Sequence, residues 1–294
     1  MSYRAYQIAR LHGRDLVYLV RYLAQSLRND ARTKRLVLCN SYPKSGTHLL
    51  YQILYTIPGL RQRKSIVSVQ ALCGIMNTAS HIRWKIGAAP PDSIIRCHLT
   101  YSEEILDILN KYDCTSLFIY RDLRDVAVSH ARWVCNEPRI FLHDIYRNEL
   151  TRDDDRLMAT IRGIPLGSPL GSNVSQPDIG QDFARWLGWI YDPETLAVRF
   201  EDLVGERGGG SEEARLETVR QILDYLEVSV PAAQIRSRFA SLVMDPEESH
   251  TFRKGGTGTS GGWREAFTEE HKQTFKQVAG ELLVELGYER DMKW

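Results

Sequence analysis

Four short apolar runs punctuate the chain: "RLVLCN" (35–40), "SIIRCH" (93–98), "TSLFIY" (115–120) and "TLAVRF" (195–200). They are partly β-branched and do not alternate strictly between apolar and polar. That pattern suits strands covered on both faces, as in a parallel sheet. Helical periodicity lies between them, over 47–57, 124–135 and 181–191. A last helix places Phe275, Val278, Leu282, Leu283 and Leu286 on one face, with Gly287 as its stop. Alternating strand and helix signals predict an α/β fold, a single domain with a central parallel β-sheet flanked by helices. The domain is expected over 35–294, with 1–34 as an N-terminal helical extension. Residues 162–180 and 253–262 carry no periodicity, and loops of that length are usually lids or connections.

Composition narrows the function classes. Apolar residues make up 43% of the chain and charged residues 26%, ordinary values for a domain with a sizeable core. The net charge of +1 gives no global field toward nucleic acid, so any anion site must be local. Five cysteines, Cys39, Cys73, Cys97, Cys114 and Cys135, form no CxxC pair. They read as buried reduced thiols in a reducing compartment, so the expected location is cytoplasmic. The longest apolar run near the N-terminus, Leu16 to Val20, is too short to span a bilayer. Arg14, Arg21 and Arg28 share one face there, which suits a packed helix or a membrane-surface one.

Chemistry concentrates at the strand ends. In "NSYPKSGTHLL" a strand gives way to a bend and then to a helix start near Thr47. Free N–H groups and the helix dipole make that an anion site, to which Lys44 adds a full charge. Gly46 allows close backbone approach. The ordinary nucleotide loop, G-x-x-x-x-G-K-S/T, puts its lysine after the last glycine. Here the lysine precedes a single glycine, which argues against a kinase. Arg121 follows the strand end at Tyr120, suited to gripping a phosphate bidentately, and Ser129 lies on the next helix. His98 closes another strand at the same edge and is a candidate general base. "RKGGTGTSGG" adds basic residues and backbone amides. Taken singly, each has a bland reading as a surface lysine, a solvated helix start, a structural histidine or a surface loop.

Together, in this order, the segments resemble the cytosolic-type sulfotransferase family, whose fold is P-loop NTPase-like. The family's Y-P-K-S-G-T-T/N-W stands against "YPKSGTHL", R-N/D-P-K/R-D-V-A-V-S against "RDLRDVAVS", and K-T-H-L-P against "RCHLT". Its Y-E-D-L/M matches "FEDL", and its C-terminal R-K-G-x-x-G-D-W matches "RKGGTGTSGGW". The resemblance implies transfer of a sulfuryl group from 3′-phosphoadenosine 5′-phosphosulfate (PAPS) to a hydroxyl or amine of a small-molecule acceptor. It implies no metal and no nucleic-acid partner. Lys44 would stabilise the leaving phosphate beside the amides of Ser45, Gly46 and Thr47, and His98 would act as base. Arg121, Ser129, Arg253, Lys254 and Gly255 would hold the 3′-phosphate. His48 replaces a Thr or Asn beside the sulfate, while Leu49, Phe200 and Ser241 stand at adenine-pocket positions. Leu49 replaces a Trp and Phe200 a Tyr, so the adenine contacts depart from the family pattern. The alternatives are a small-molecule or nucleotide kinase of related fold, or a non-catalytic nucleotide-binding protein. Segments 60–92 and 136–180 are the expected lining of the acceptor pocket.

Overall fold

The computed structural model describes residues 36–68, 78–170, 175–230 and 259–294. Its centre is a five-stranded sheet with every strand pairing parallel. The strands are β1 (Leu36–Ser41), β2 (Arg61–Ser68), β3 (Ser93–His98), β4 (Cys114–Tyr120) and β5 (Thr195–Arg199), in the order β2-β3-β1-β4-β5. Helices α1 (Thr47–Tyr55), α2 (Ala79–Gly87), α3 (Glu103–Lys111) and α4 (Leu123–Asn136) provide the crossovers between the first four strands and follow β4. Further along lie α5 (Asp153–Arg162), α6 (Ile179–Ala184), α7 (Glu212–Tyr225) and α8 (Glu269–Glu285).

The lack of strict alternation in the strands has a direct cause: both faces of the sheet are covered. Leu36, Leu38, Ile95, Cys97 and Phe118 enter one core with α2, α3, α4 and α8. Val37, Cys39, Ile94, Leu117 and Ile119 enter the other, against α1 and α7. Each buried aliphatic side chain contributes roughly 1.5–3 kcal/mol, so neither face could be left to water. Cys39, Cys97 and Cys135 are buried free thiols and Cys114 is partly buried, as expected. Cys73 and the N-terminal extension lie outside the described residues.

Three expectations change. The segment 61–68, for which the sequence predicts no strand, is an edge strand; its charged N-terminal half and the register shift between Gln62 and Ile66 obscure the pattern. The helix expected over 181–191 is two pieces, α6 and a single turn at Gly188–Tyr191. Phe200, expected to end the fourth apolar strand, instead opens a one-turn helix, Phe200–Leu203. The final helix behaves as its periodicity predicts. Phe275 and Leu283 are fully buried, and Gly287 follows with φ 73. The aperiodic segment after α5 is closed at its base by paired backbone hydrogen bonds of 2.8 Å between Ile164 and Gln176. Among the described residues, no helix is long and apolar enough to cross a membrane.

Candidate functional site

β1 is the central strand, and its neighbours β3 and β4 run parallel to it, so their carboxyl ends share one edge. Ligands bind at such an edge in open α/β sheets. His98 ends β3 there, and the Lys44 loop, Arg121 and Phe200 follow the ends of β1, β4 and β5. In the loop, Ser45 N–H donates to the Tyr42 carbonyl at 3.1 Å, closing a turn around Pro43 and Lys44. Lys44 takes φ 71 and Gly46 φ 105. A left-handed lysine costs roughly 1–2 kcal/mol, so the surrounding structure must hold it. Gly46 is the N-cap of α1 and supplies no side-chain cap. A Cβ on Gly46 would meet Phe200 Cδ2 at 2.5 Å. The loop therefore presents backbone rather than side chain at this point. The Ser45 hydroxyl is buried without a hydrogen-bond partner among the described residues.

His98 is fixed to the same loop. Its Nδ1 lies 2.9 Å from the Ser41 carbonyl oxygen. A carbonyl only accepts, so Nδ1 carries the proton and Nε2 keeps its lone pair. The Ser41 hydroxyl is 3.2 Å from Nδ1 and 2.5 Å from the Thr47 hydroxyl, which ties the end of β3 to the start of α1. Asn40 sets the next residue: its amide donates to the Leu99 carbonyl at 3.0 Å and its oxygen accepts from Leu99 N–H at 2.9 Å. Burial, together with the charges of Lys44 and Arg96, holds the His98 imidazole down at about 4 despite the Ser41 bond. The ring is neutral, and able to accept a proton, throughout the physiological range.

Arg121 is almost buried just beyond β4. Its guanidinium lies over the Phe200 ring at 4.5 Å, donates to the Thr259 carbonyl at 2.7 Å and approaches Asp125 at 3.6 Å. Its Nε is buried with no partner among the described residues. Asp125 in turn accepts from Gly261 N–H at 2.7 Å and Trp263 N–H at 2.9 Å. Thus the end of the glycine-rich C-terminal segment is latched to the first turn of α4. Burial raises the Asp125 carboxyl above its ordinary value, against the pull of Arg121 and the two amides. Asp122 caps α4 and pairs with Arg124, whose guanidinium is stacked 3.8 Å from the Trp263 ring centroid.

The remaining candidates fall as follows. Ser129 is half-buried on α4, and Thr47 and His48 open α1. Leu49 and Phe200 are both buried in the core beneath the loop, where Phe200 bridges Gly46 and Arg121. Ser241, Arg253, Lys254 and Gly255 lie outside the described residues. Among the described residues, no group of three or more His, Cys, Asp and Glu could hold a metal ion.

No protein-family model matches this chain, and no curated protein matches it in sequence. Solved structures do match. Mouse sulfotransferase SULT7A1 complexed with PAP superposes with a TM-score of 0.59 at 19% identity, over 86% of each chain. Retinol dehydratase, solved with androsterone and the inactive cofactor PAP, gives 0.55 at 14% identity over 89% of this chain and 85% of that one. Its complex with retinol and PAP gives 0.55 at 15%. The chain has the sulfotransferase fold.

Within that fold the structure adds residues that the motifs did not mark. The Lys44 ammonium lies 5.3 Å from the Trp133 ring centroid, and His130 packs beside the same ring at 5.8 Å. The Tyr42 hydroxyl donates to Asp182 at 2.9 Å, holding α6 against the bend of the Lys44 loop. Glu201 accepts from Asp122 N–H at 3.1 Å and from the Tyr288 hydroxyl at 2.9 Å, behind Arg121. Asn40 and Asp125 were legible only as strand-end and helix-start residues. The "DVAVSHARW" run contains His130 and Trp133 at helical spacing, the one signal that pointed to a shared face.

Proposed function

We propose that the chain transfers the sulfuryl group of PAPS to a hydroxyl or amine of a small-molecule acceptor. The observation that carries this reading is His98, held neutral with its lone pair on Nε2 and hydrogen-bonded to the strand that leads into the Lys44 loop. A base would serve phosphoryl transfer from ATP as well; the lysine placed ahead of a single glycine, where the ordinary nucleotide loop has it after the last one, favours PAPS. The fit of a bisphosphorylated nucleotide is supported by the strand-bend-helix loop, in which Gly46 opens α1 with no side-chain cap over its first N–H groups. Two buried polar atoms without partners, Ser45 Oγ and Arg121 Nε, support it further. The structural neighbours were solved with PAP.

In this reading the acceptor oxygen forms a bond to sulfur as the bond from sulfur to the bridging phosphate oxygen breaks. The acceptor's proton passes to His98 Nε2. The electron pair goes to the 5′-phosphate, where Lys44 and the amides of Ser45, Gly46 and Thr47 stabilise the growing charge. Arg121 and Ser129, with Arg253, Lys254 and Gly255, would hold the 3′-phosphate. The transferase unit spans 35–294, preceded by a 34-residue extension.

Calorimetry with adenosine 3′,5′-bisphosphate and with 5′-AMP tests the reading. One charge-assisted bond of roughly 1.5–3 kcal/mol gives a preference of about tenfold or more for the bisphosphate. Arg121→Ala should erase most of it and leave 5′-AMP binding nearly unchanged. Equal affinity in the wild type, or group transfer from ATP with magnesium instead of from PAPS, would overturn the proposal.

A further inference from the structure

Segment 288–294, which the reaction above does not use, closes on the residues around Arg121. After Gly287 the chain doubles back along α8: Met292 lies against Gly280, and Trp294 meets Phe275 and Lys276. Three of its side chains then reach the start of α4. The Tyr288 hydroxyl donates at 2.9 Å to Glu201, which accepts from Asp122 N–H at 3.1 Å. Glu289 pairs with the fully buried Arg124, whose guanidinium also forks onto the Asp122 carboxylate at 2.7 and 3.0 Å. Trp294 lies 4.5 Å from that guanidinium, which Trp263 approaches at 3.8 Å, and the two indoles meet edge to face. The Trp263 N–H is one of the two that hold Asp125, the partner of Arg121. Tyr120, just ahead of Arg121, meets the Tyr288 ring edge to face at 6.5 Å.

Stability alone does not call for this arrangement. A buried ion pair is often no better for stability than apolar side chains of the same volume, because both charges lose their water. What the guanidinium fork and its two carboxylates add is direction. They fix Asp122 and Arg124 in one orientation, and Arg121 is the residue just before them. We propose that Tyr288, Glu289 and Trp294 are positioning residues for the donor. Acting through Asp122, Arg124 and Trp263, they hold Arg121 and segment 259–263 in the arrangement that grips the 3′-phosphate. This rests on the sulfotransferase reading. The Arg121 guanidinium takes its partners from those same two elements, Asp125 on α4 and the Thr259 carbonyl. A shift between the two elements moves the guanidinium. Donor affinity therefore depends on a segment that, in this reading, supplies no phosphate ligand of its own.

The test reads the preference for adenosine 3′,5′-bisphosphate over 5′-AMP by calorimetry on the full chain, within each variant, so a partly folded preparation does not distort it. Trp294→Ala should lower the preference about fivefold, the scale of one cation–π contact, mostly through weaker bisphosphate binding. Trp294→Phe, which returns a ring beside Arg124, should recover most of it. Tyr288→Phe removes a single hydroxyl and should lower the preference about threefold, the scale of one neutral hydrogen bond. It keeps the test available if Trp294→Ala fails to fold. Ile108→Ala empties a fully buried position on α3, which carries none of these contacts. It should lose stability in urea with its preference unchanged. A preference unchanged in both Trp294→Ala and Tyr288→Phe, or lowered as much in Ile108→Ala, would overturn the inference and leave the sulfotransferase reading intact. No preference for the bisphosphate in the wild type would remove that reading, and this inference with it.

Discussion

His98 Nδ1 donates to the carbonyl oxygen of Ser41 at 2.9 Å, across the ends of two neighbouring parallel strands. That single bond sets which nitrogen of the ring can take a proton, and it does so from the strand that leads into the Lys44 loop. Removing the imidazole should therefore cost chemistry and not nucleotide binding. His98→Ala is expected to lower turnover about 100-fold or more, the scale of a lost general base. Its affinity for adenosine 3′,5′-bisphosphate should stay within about threefold of wild type by calorimetry, a difference of well under 1 kcal/mol.

The depressed pKa of His98 has a signature in the acid limb of the rate profile. Activity requires the neutral ring. In kcat/KM, which reports the free enzyme, the limb should fall near 4 and not near the ordinary 6.5. Stability moves with the same group. Between those values the unfolded chain binds a proton at this position that the folded chain does not. The His98 contribution is thus lost as pH falls through the window, at up to about 1.4 kcal/mol per pH unit. Urea unfolding from pH 7 to pH 4.5 should show a shallower decline in His98→Gln than in wild type. Identical slopes would place the imidazole in a more solvated setting.

Asp125 joins two parts of the proposed donor site that are far apart in sequence. It accepts from Gly261 and Trp263 and pairs with Arg121. Asp125→Asn retains one acceptor oxygen but loses the charge. It should weaken bisphosphate binding more than 5′-AMP binding and speed hydrogen exchange at 259–263. Asp125→Ala leaves buried amides unpaired and should also destabilise the fold by roughly 1–3 kcal/mol. Unchanged exchange at 259–263 in both variants would remove the latch.

Gly46 is a tight point of the Lys44 loop. Its φ of 105 and the Phe200 ring, 2.5 Å from where a Cβ would stand, exclude any side chain. Gly46→Ala should cost about 1–3 kcal/mol in chemical unfolding and lose most nucleotide affinity, because the loop must open to admit the methyl group. A variant of wild-type stability that still binds the nucleotide would show that the loop accommodates a side chain.

Much of this was legible along the chain. The short apolar runs place strand ends near residues 40, 98 and 120, with the chemistry-bearing residues at those ends or in the turns that follow. In a parallel sheet, side chains that end neighbouring strands are brought to one edge by the backbone pairing itself. The sequence alone therefore groups Lys44, His98 and Arg121. β2 escaped because an edge strand with a charged first half and a shifted register has no clean period.

Sequence alone thus determined the fold class, the loop with its lysine ahead of one glycine, and the candidate base, because each rests on local periodicity or on neighbours in the chain. Tertiary structure alone decided the rest. The Asp125 bonds to Gly261 and Trp263 span 136 and 138 residues, and the Tyr42 bond to Asp182 spans 140. It also decided the tautomer of His98, the stacking of Arg121 on Phe200, and the placement of His130 with Trp133 and Lys44. Hydrogen bonds, ion pairs and ring contacts over such separations leave no period in the sequence. They depend on which burial partners the packed helices bring within a few ångströms, and only the folded chain specifies that.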